Sequence, residues 1–142
     1  MRPVFLALAA ALLLLMAPVP EAKAAVTAEI DLSDQVMHVY VNGRKRHSWP
    51  VSTARRGYRT PTGTYTIKRM HKMWYSRRYH MSPMPHSLFF HGGYAVHGTT
   101  EVKNLGRPAS HGCVRLHPKN AARLYGLVQR HGPRNSRIRI RR

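Results

Sequence analysis

The sequence predicts a mainly β domain with one clear helix, and three observations carry that reading. Apolar and polar residues alternate over residues 26–32 and again over 64–67, the period of a half-buried strand. Asn42-Gly43 lies between two strand-like runs, and both residues tolerate the positive φ that a two-residue hairpin turn requires. Only after Pro118 does the period change, to apolar residues at 121, 124, 125 and 128, one face of a helix.

In chain order, Val26, Ala28, Ile30 and Leu32 form the apolar face of a first strand, with Thr27, Glu29 and Asp31 on the other. Val36–Val41 reads as the second strand, and residues 46–52 return from the Asn-Gly turn as the third. Residues 57–63 are turn material, and 64–67 alternate again. Residues 68–87 break the pattern. Lys68, Arg69, Lys72, Arg77 and Arg78 interleave there with Trp74, Tyr75 and Tyr79, and Pro83-Met84-Pro85 follows, which predicts a long exposed loop. Residues 88–90 and 94–97 flank Gly92-Gly93 as a hairpin. Pro118 suits the first turn of the helix and Gly132 its C-terminal cap, after which residues 137–140 close as a basic strand. With no internal repeat and no linker, residues 25–142 read as one domain.

Residues 1–24 read as an address. A positive start at Met1-Arg2, an apolar run over residues 4–17, then Pro18, Pro20 and Ala22-Lys23-Ala24, match a secretory signal peptide cut after Ala24. The run is shorter than the ~20 residues that span a bilayer. Export to the periplasm or cell wall is the expectation.

Charge narrows the chemistry. Lys and Arg number 24 against 5 Asp and Glu, a formal net charge of +19. Beyond residue 24 the only acids are Glu29, Asp31, Asp34 and Glu101. Paired-carboxylate glycosidase chemistry and carboxylate-caged Ca²⁺ or Mg²⁺ need more acids than that. A single cysteine excludes an intramolecular disulfide and every Cys₂ or Cys₄ zinc pattern. So basic a chain would suggest nucleic acid inside a cell. An exported one meets an anionic wall or lipid surface instead, so no nucleic-acid partner is expected.

Idle thiols are disfavoured in oxidising compartments, which draws attention to Cys113. It lies in Ser110-His111-Gly112-Cys113-Val114-Arg115, after a Gly-Arg-Pro-Ala loop. Attack by sulfur needs the thiolate, and a nearby imidazole and a strongly positive field favour the anion. Gly112 allows close backbone approach, so amide N–H groups there suit a developing oxyanion. Two histidines are candidate bases. His97 ends an apolar strand and precedes Gly98; His111 is two residues from the cysteine but points away if the local backbone is extended. With acids so scarce, a backbone carbonyl is the expected partner orienting the base, with Asn104 and Asn120 as side-chain alternatives.

These residues resemble the L,D-transpeptidases, whose catalytic domain is the YkuD-like fold of β-sandwich or barrel type. The resemblance rests on Ser110-His111-Gly112-Cys113-Val114-Arg115-Leu116 and on Gly93-Tyr94-Ala95-Val96-His97-Gly98 upstream. The Thr60-Pro61-Thr62-Gly63 turn adds to it. It implies Cys113 as nucleophile, His97 as general base, and the Gly98 carbonyl as the group that holds the imidazole. It further implies an oxyanion hole from the amides of Gly112 and Cys113, with Ser110 and His111 shaping the loop and Arg115 meeting a substrate carboxylate. The implied substrates are peptidoglycan stem peptides, with a stem amine, a lysine of an envelope protein, or water as acyl acceptor. No cofactor and no metal is implied. Two other classes stay open: a non-catalytic cationic module using Arg77, Arg78, Arg137, Arg139, Arg141 and Arg142, and a zinc site from His97, His111, Cys113 and His117.

Overall fold

The structure, a computed structural model, describes Pro18 and residues 23–142. Residues 1–24, expected to be a signal peptide, lie almost wholly outside these residues. Among the described residues nine strands form two sheets. The first contains β1 (Val26–Asp31), β2 (Val36–Val41), β3 (Arg44–Pro50), β4 (Gly63–Thr66) and β9 (Ser136–Arg141), in the order β3-β2-β1-β9-β4. The second contains β5 (Arg69–Ser76), β6 (Ser82–His91), β7 (Tyr94–Gly98) and β8 (Val114–Leu116), in that order. Both are mixed, because β1 pairs parallel with β9 and β7 parallel with β8.

The alternation predicted for the first strand holds from Val26 to Ile30, with Val26, Ala28 and Ile30 buried and Thr27 and Glu29 half-exposed; at its end Asp31 is buried and Leu32, beyond the strand, only partly so. Asn42 and Gly43 both have positive φ, as their turn requires. The single α-helix among the described residues, α1 (Pro118–His131), has Pro at its first position and buries the four residues that its periodicity singled out, Ala121, Leu124, Tyr125 and Val128. That face packs mainly on β6 and β7. His117 caps the helix by accepting from the Lys119 amide through Nδ1 at 3.1 Å. Inner faces of both sheets and α1 share one apolar core around Phe90, Ile30, Met37 and Leu124.

The expected loop at 68–87 is instead a long hairpin. Strands β5 and β6 pair antiparallel from Arg69↔Phe89 out to Ser76↔Ser82, and Arg77–Tyr79 form a short 3₁₀ turn at the tip. Two features hid it. His80 and Met81 both take positive φ although neither is glycine, so the usual turn residues are missing. Pro83 and Pro85 argue against a strand, yet being two apart they direct their missing N–H groups to one edge, and β7 pairs with β6 only from Leu88 onward.

The basic tail is also less free than its sequence suggests. Arg141 meets Glu29 at 3.1 Å and Asp31 at 2.9 Å, and Arg139 meets Glu29 at 3.7 Å. Arg137 is hydrogen-bonded to the carbonyls of Arg134 and Ser136.

Candidate active site

Two neighbouring strand ends place the thiol and the imidazole. In the parallel β7–β8 pair, Val96 is opposite Val114 and His97 opposite Arg115, so Cys113, one residue earlier, comes beside Ala95. Val96 and Val114 turn into the main core. Side chains alternate along a strand, so Ala95, His97, Cys113 and Arg115 emerge on the opposite face. His97, Cys113 and Arg115 there line a cavity of about 510 Å³ together with Ser110 and His111.

The loop before Cys113 is pinned from beneath. The chain after β3 runs along it, with Thr53 accepting from the amides of Ala109 and Ser110 and Ser52 exchanging hydrogen bonds with Arg115. Ser110, which is buried, donates from Oγ to the Cys113 carbonyl at 2.6 Å and accepts from the Gly112 amide at 3.0 Å. Thr60 of the Thr-Pro-Thr-Gly turn donates to the Gly112 carbonyl at 2.8 Å and accepts from the Ala54 amide. Gly112 has φ +137, and a Cβ there would meet the Tyr94 ring at 2.5 Å and the Arg59 carbonyl at 2.9 Å. No other residue fits this position. The Gly112 amide is held by Ser110 Oγ, which leaves the Cys113 amide as the free candidate donor for the oxyanion.

His97 is buried, and its Nδ1 lies 2.6 Å from the Gly98 carbonyl. A carbonyl only accepts, so Nδ1 carries the proton and Nε2 keeps the lone pair. Burial lowers the pKa of His97 to about 4, and the nearby Arg115 guanidinium adds to this against the opposing Gly98 carbonyl. The ring is neutral near pH 7. The Gly98 carbonyl, not an asparagine, stands at Nδ1, and Asn104 instead binds Glu101 and Arg107.

Cys113 packs against the small apolar cluster of Met84, Phe89 and Ala95. That burial raises its thiol pKa, opposed by the Ala95 amide and by Arg115. The positive field does not win against desolvation here. Burial here works against the thiolate at Cys113 and against the imidazolium at His97. Sγ lies 3.9 Å from the Gly93 carbonyl, and no hydrogen bond joins it to the ring of His97 in this arrangement. Such contacts often tighten only around substrate.

His111 does reach the cavity, because the backbone at 111–113 bends. Its ring stacks on Tyr79 at 4.1 Å, meets Tyr58 edge-on at 4.8 Å, and has Arg55 Nη2 3.3 Å from Nε2. It clamps the loop to the hairpin tip. Arg115 lines the cavity too, but its Nη1 is already paired with Glu101 at 3.2 Å. His117 serves as the helix cap, and among the described residues no three His, Cys, Asp or Glu side chains gather as metal ligands.

Sequence reasoning missed Arg69, Trp74, Tyr79 and Met84 as cavity residues. Their basic and aromatic interleaving was visible; the hairpin that aims them was not.

A two-sheet domain with a thiol and a tautomer-locked imidazole on one cavity is the arrangement that comparison with known proteins has to explain. The matching sequence family is the L,D-transpeptidase catalytic domain, YkuD, over residues 25–139, and the chain belongs to that family. A curated relative from Bacillus subtilis, named L,D-transpeptidase YkuD, is 25% identical over 117 residues, which cover 80% of this chain and 64% of the relative. The solved L,D-transpeptidase from Stackebrandtia nassauensis is 27% identical with a TM-score of 0.73, covering 86% of this chain and 58% of that one. One from Mycobacterium smegmatis has a TM-score of 0.74 at 23% identity, covering 84% and 59% respectively, and shares the fold. The chain spans less than two thirds of each of these relatives.

Proposed function

We propose that this chain is a cysteine acyltransferase of exported location, in the periplasm or cell wall, acting on peptidoglycan stem peptides. The observation that carries the reading is the opening of Cys113 and a neutral, Nδ1-protonated His97 onto the same cavity. As Sγ attacks the carbonyl carbon of the L,D bond before a terminal D-alanine, its proton passes to His97 Nε2. The Cys113 amide faces the oxyanion. The C–N bond then breaks, D-alanine leaves with the proton from His97, and a thioester remains on Sγ. An amine of a neighbouring stem attacks the thioester, loses its proton to His97 and releases Cys113 as the thiol, giving a 3→3 cross-link. An envelope-protein lysine in the same role gives a covalent anchor.

Support comes from the family membership and from a neighbour of the same fold, L,D-transpeptidase 3 of Mycobacterium tuberculosis, solved in complex with a faropenem-derived adduct. The test is to incubate the protein with a purified tetrapeptide muropeptide and weigh the products. A dimer lacking one D-alanine is expected. A tripeptide product would make water the acceptor and the enzyme an L,D-carboxypeptidase. No conversion, with Cys113 intact, would favour the cationic binding module.

A further inference from the structure

The cavity carries an imbalance of charge that the acyl-transfer steps leave unused. Five arginines line it, Arg59, Arg69, Arg77, Arg78 and Arg115, against one acid, Glu101. Glu101 is paired with Arg115. Glu29 and Asp31 are engaged with Arg139 and Arg141 in the first sheet. Among the described residues, none of the other four cavity arginines has a carboxylate within ion-pair distance. Four like charges around one concave site repel each other, and low-dielectric walls strengthen that field. Charge kept only for solubility has no reason to converge there.

Two of the four are held in place without being neutralised. The Arg69 guanidinium lies 4.2 Å from the Phe89 ring centroid and 5.3 Å from that of Trp74, both cavity walls, and makes no hydrogen bond to the protein. Stacking fixes the plane of the fork while leaving its N–H donors free, so little side-chain freedom remains to be lost on binding. Arg78 is 5.7 Å from the ring of Tyr79, which is itself stacked on His111, two residues from Cys113. A planar, pre-positioned fork of this kind fits a carboxylate.

Resting on the acyl-transfer reading above, we infer that the cavity selects acyl donors whose own carboxylates are free over the same peptides bearing carboxamides, with Arg69 as the main specificity-determining residue and Arg78 as its partner. Arg115, unlike these two, already has a carboxylate partner in Glu101. The hairpin, then, sets which donor is accepted, while the loop at Cys113 performs the chemistry.

The experiment uses the full-length protein and two synthetic tetrapeptide donors that differ only in carrying free carboxylates or primary carboxamides. Release of the terminal residue is followed by mass spectrometry. The acid form is expected to have a kcat/KM about 10- to 100-fold higher, the scale of a lost charge-assisted hydrogen bond. Raising ionic strength should narrow that gap. In Arg69→Gln the gap should largely close through loss on the acid donor alone, and Arg69→Lys should not restore it. Labelling of Cys113 by neutral iodoacetamide should match wild type in both variants, and Arg78→Gln, with a smaller narrowing, serves if Arg69→Gln does not fold. Equal kcat/KM for the two donors, or an undiminished gap in both glutamine variants, overturns the inference and leaves acyl transfer standing. Failure to convert either donor overturns acyl transfer and the inference with it.

Discussion

The loop leading to Cys113 and the β5–β6 hairpin face each other across one cavity, and they are built by opposite means. The loop is tied by short hydrogen bonds from Thr53, Thr60 and Ser110 and by a glycine that nothing can replace. The hairpin is an edge of its sheet, exposes Met73, Tyr75 and Met81, and reaches the loop through ring contacts between Tyr79 and His111. Hydrogen bonds fix distances closely, while stacked rings can slide. The difference teaches that geometry for bond making resides in one wall and adaptability toward the substrate in the other. Loop substitutions should therefore lower kcat, and hairpin substitutions should raise KM.

The largest effects test the loop side. Cys113→Ala should abolish product, and His97→Ala should lower kcat by about 10²–10⁴-fold, the scale of a lost general base, in a single-turnover assay. Gly112→Ala should cost about 10²-fold in kcat, since the required shift away from Tyr94 and the Arg59 carbonyl misplaces Sγ. A near-wild-type rate would show that the loop is as adaptable as the hairpin. Thr60→Val removes two hydrogen bonds beneath Gly112 and should lower kcat about tenfold with KM little changed.

Protonation sharpens the same contrast. His97 falls from an ordinary 6.5 to about 4 in the folded state. Between those values the unfolded chain binds the proton that the folded chain refuses. Stability is thus lost as pH falls from ~6.5 through ~4, by on the order of 3 kcal/mol. Urea melts at pH 7 and pH 4.5 should show it, and His97→Gln should lose that component. The raised thiol pKa predicts slow iodoacetamide labelling of Cys113 at neutral pH that climbs into the alkaline range; fast neutral labelling would restore the pre-formed thiolate. The smallest effect belongs to the hairpin. Tyr79→Ala removes a stacking contact of about 0.5–1.5 kcal/mol and should raise KM by a few-fold with kcat unaltered.

Much of the fold was legible because it follows local rules. Alternation gave β1, Asn42-Gly43 gave the β2–β3 turn, and the 3.6-residue period gave the buried face of α1. The hairpin at 69–91 was not legible, since its turn uses His80 and Met81 at positive φ and its prolines are tolerated only because β7 stops short of them. Strand β8, three residues long, offers no periodicity to detect. At the site, Cys113, His97 and the Gly98 carbonyl were readable from motif and from the shortage of acids. The upward push on the thiol pKa was not, because it comes from Met84, Phe89 and Ala95 closing around sulfur from a distant part of the chain. Nor was the capture of Arg115 by Glu101, fourteen residues earlier.

Gly98 joins two parts of the molecule that are usually free to vary apart. Its carbonyl orients the ring of His97, and its bare Cα lets Pro118 and Ala121 at the start of α1 come within 3.2 and 3.4 Å of where a Cβ would stand. A methyl added there would also stand 3.0 Å from the Pro85 ring, so the hairpin and the helix start must each give by a few tenths of an ångström beside the carbonyl that orients His97. Durability and turnover are therefore coupled at this position, and a library selected for either property should enrich glycine there.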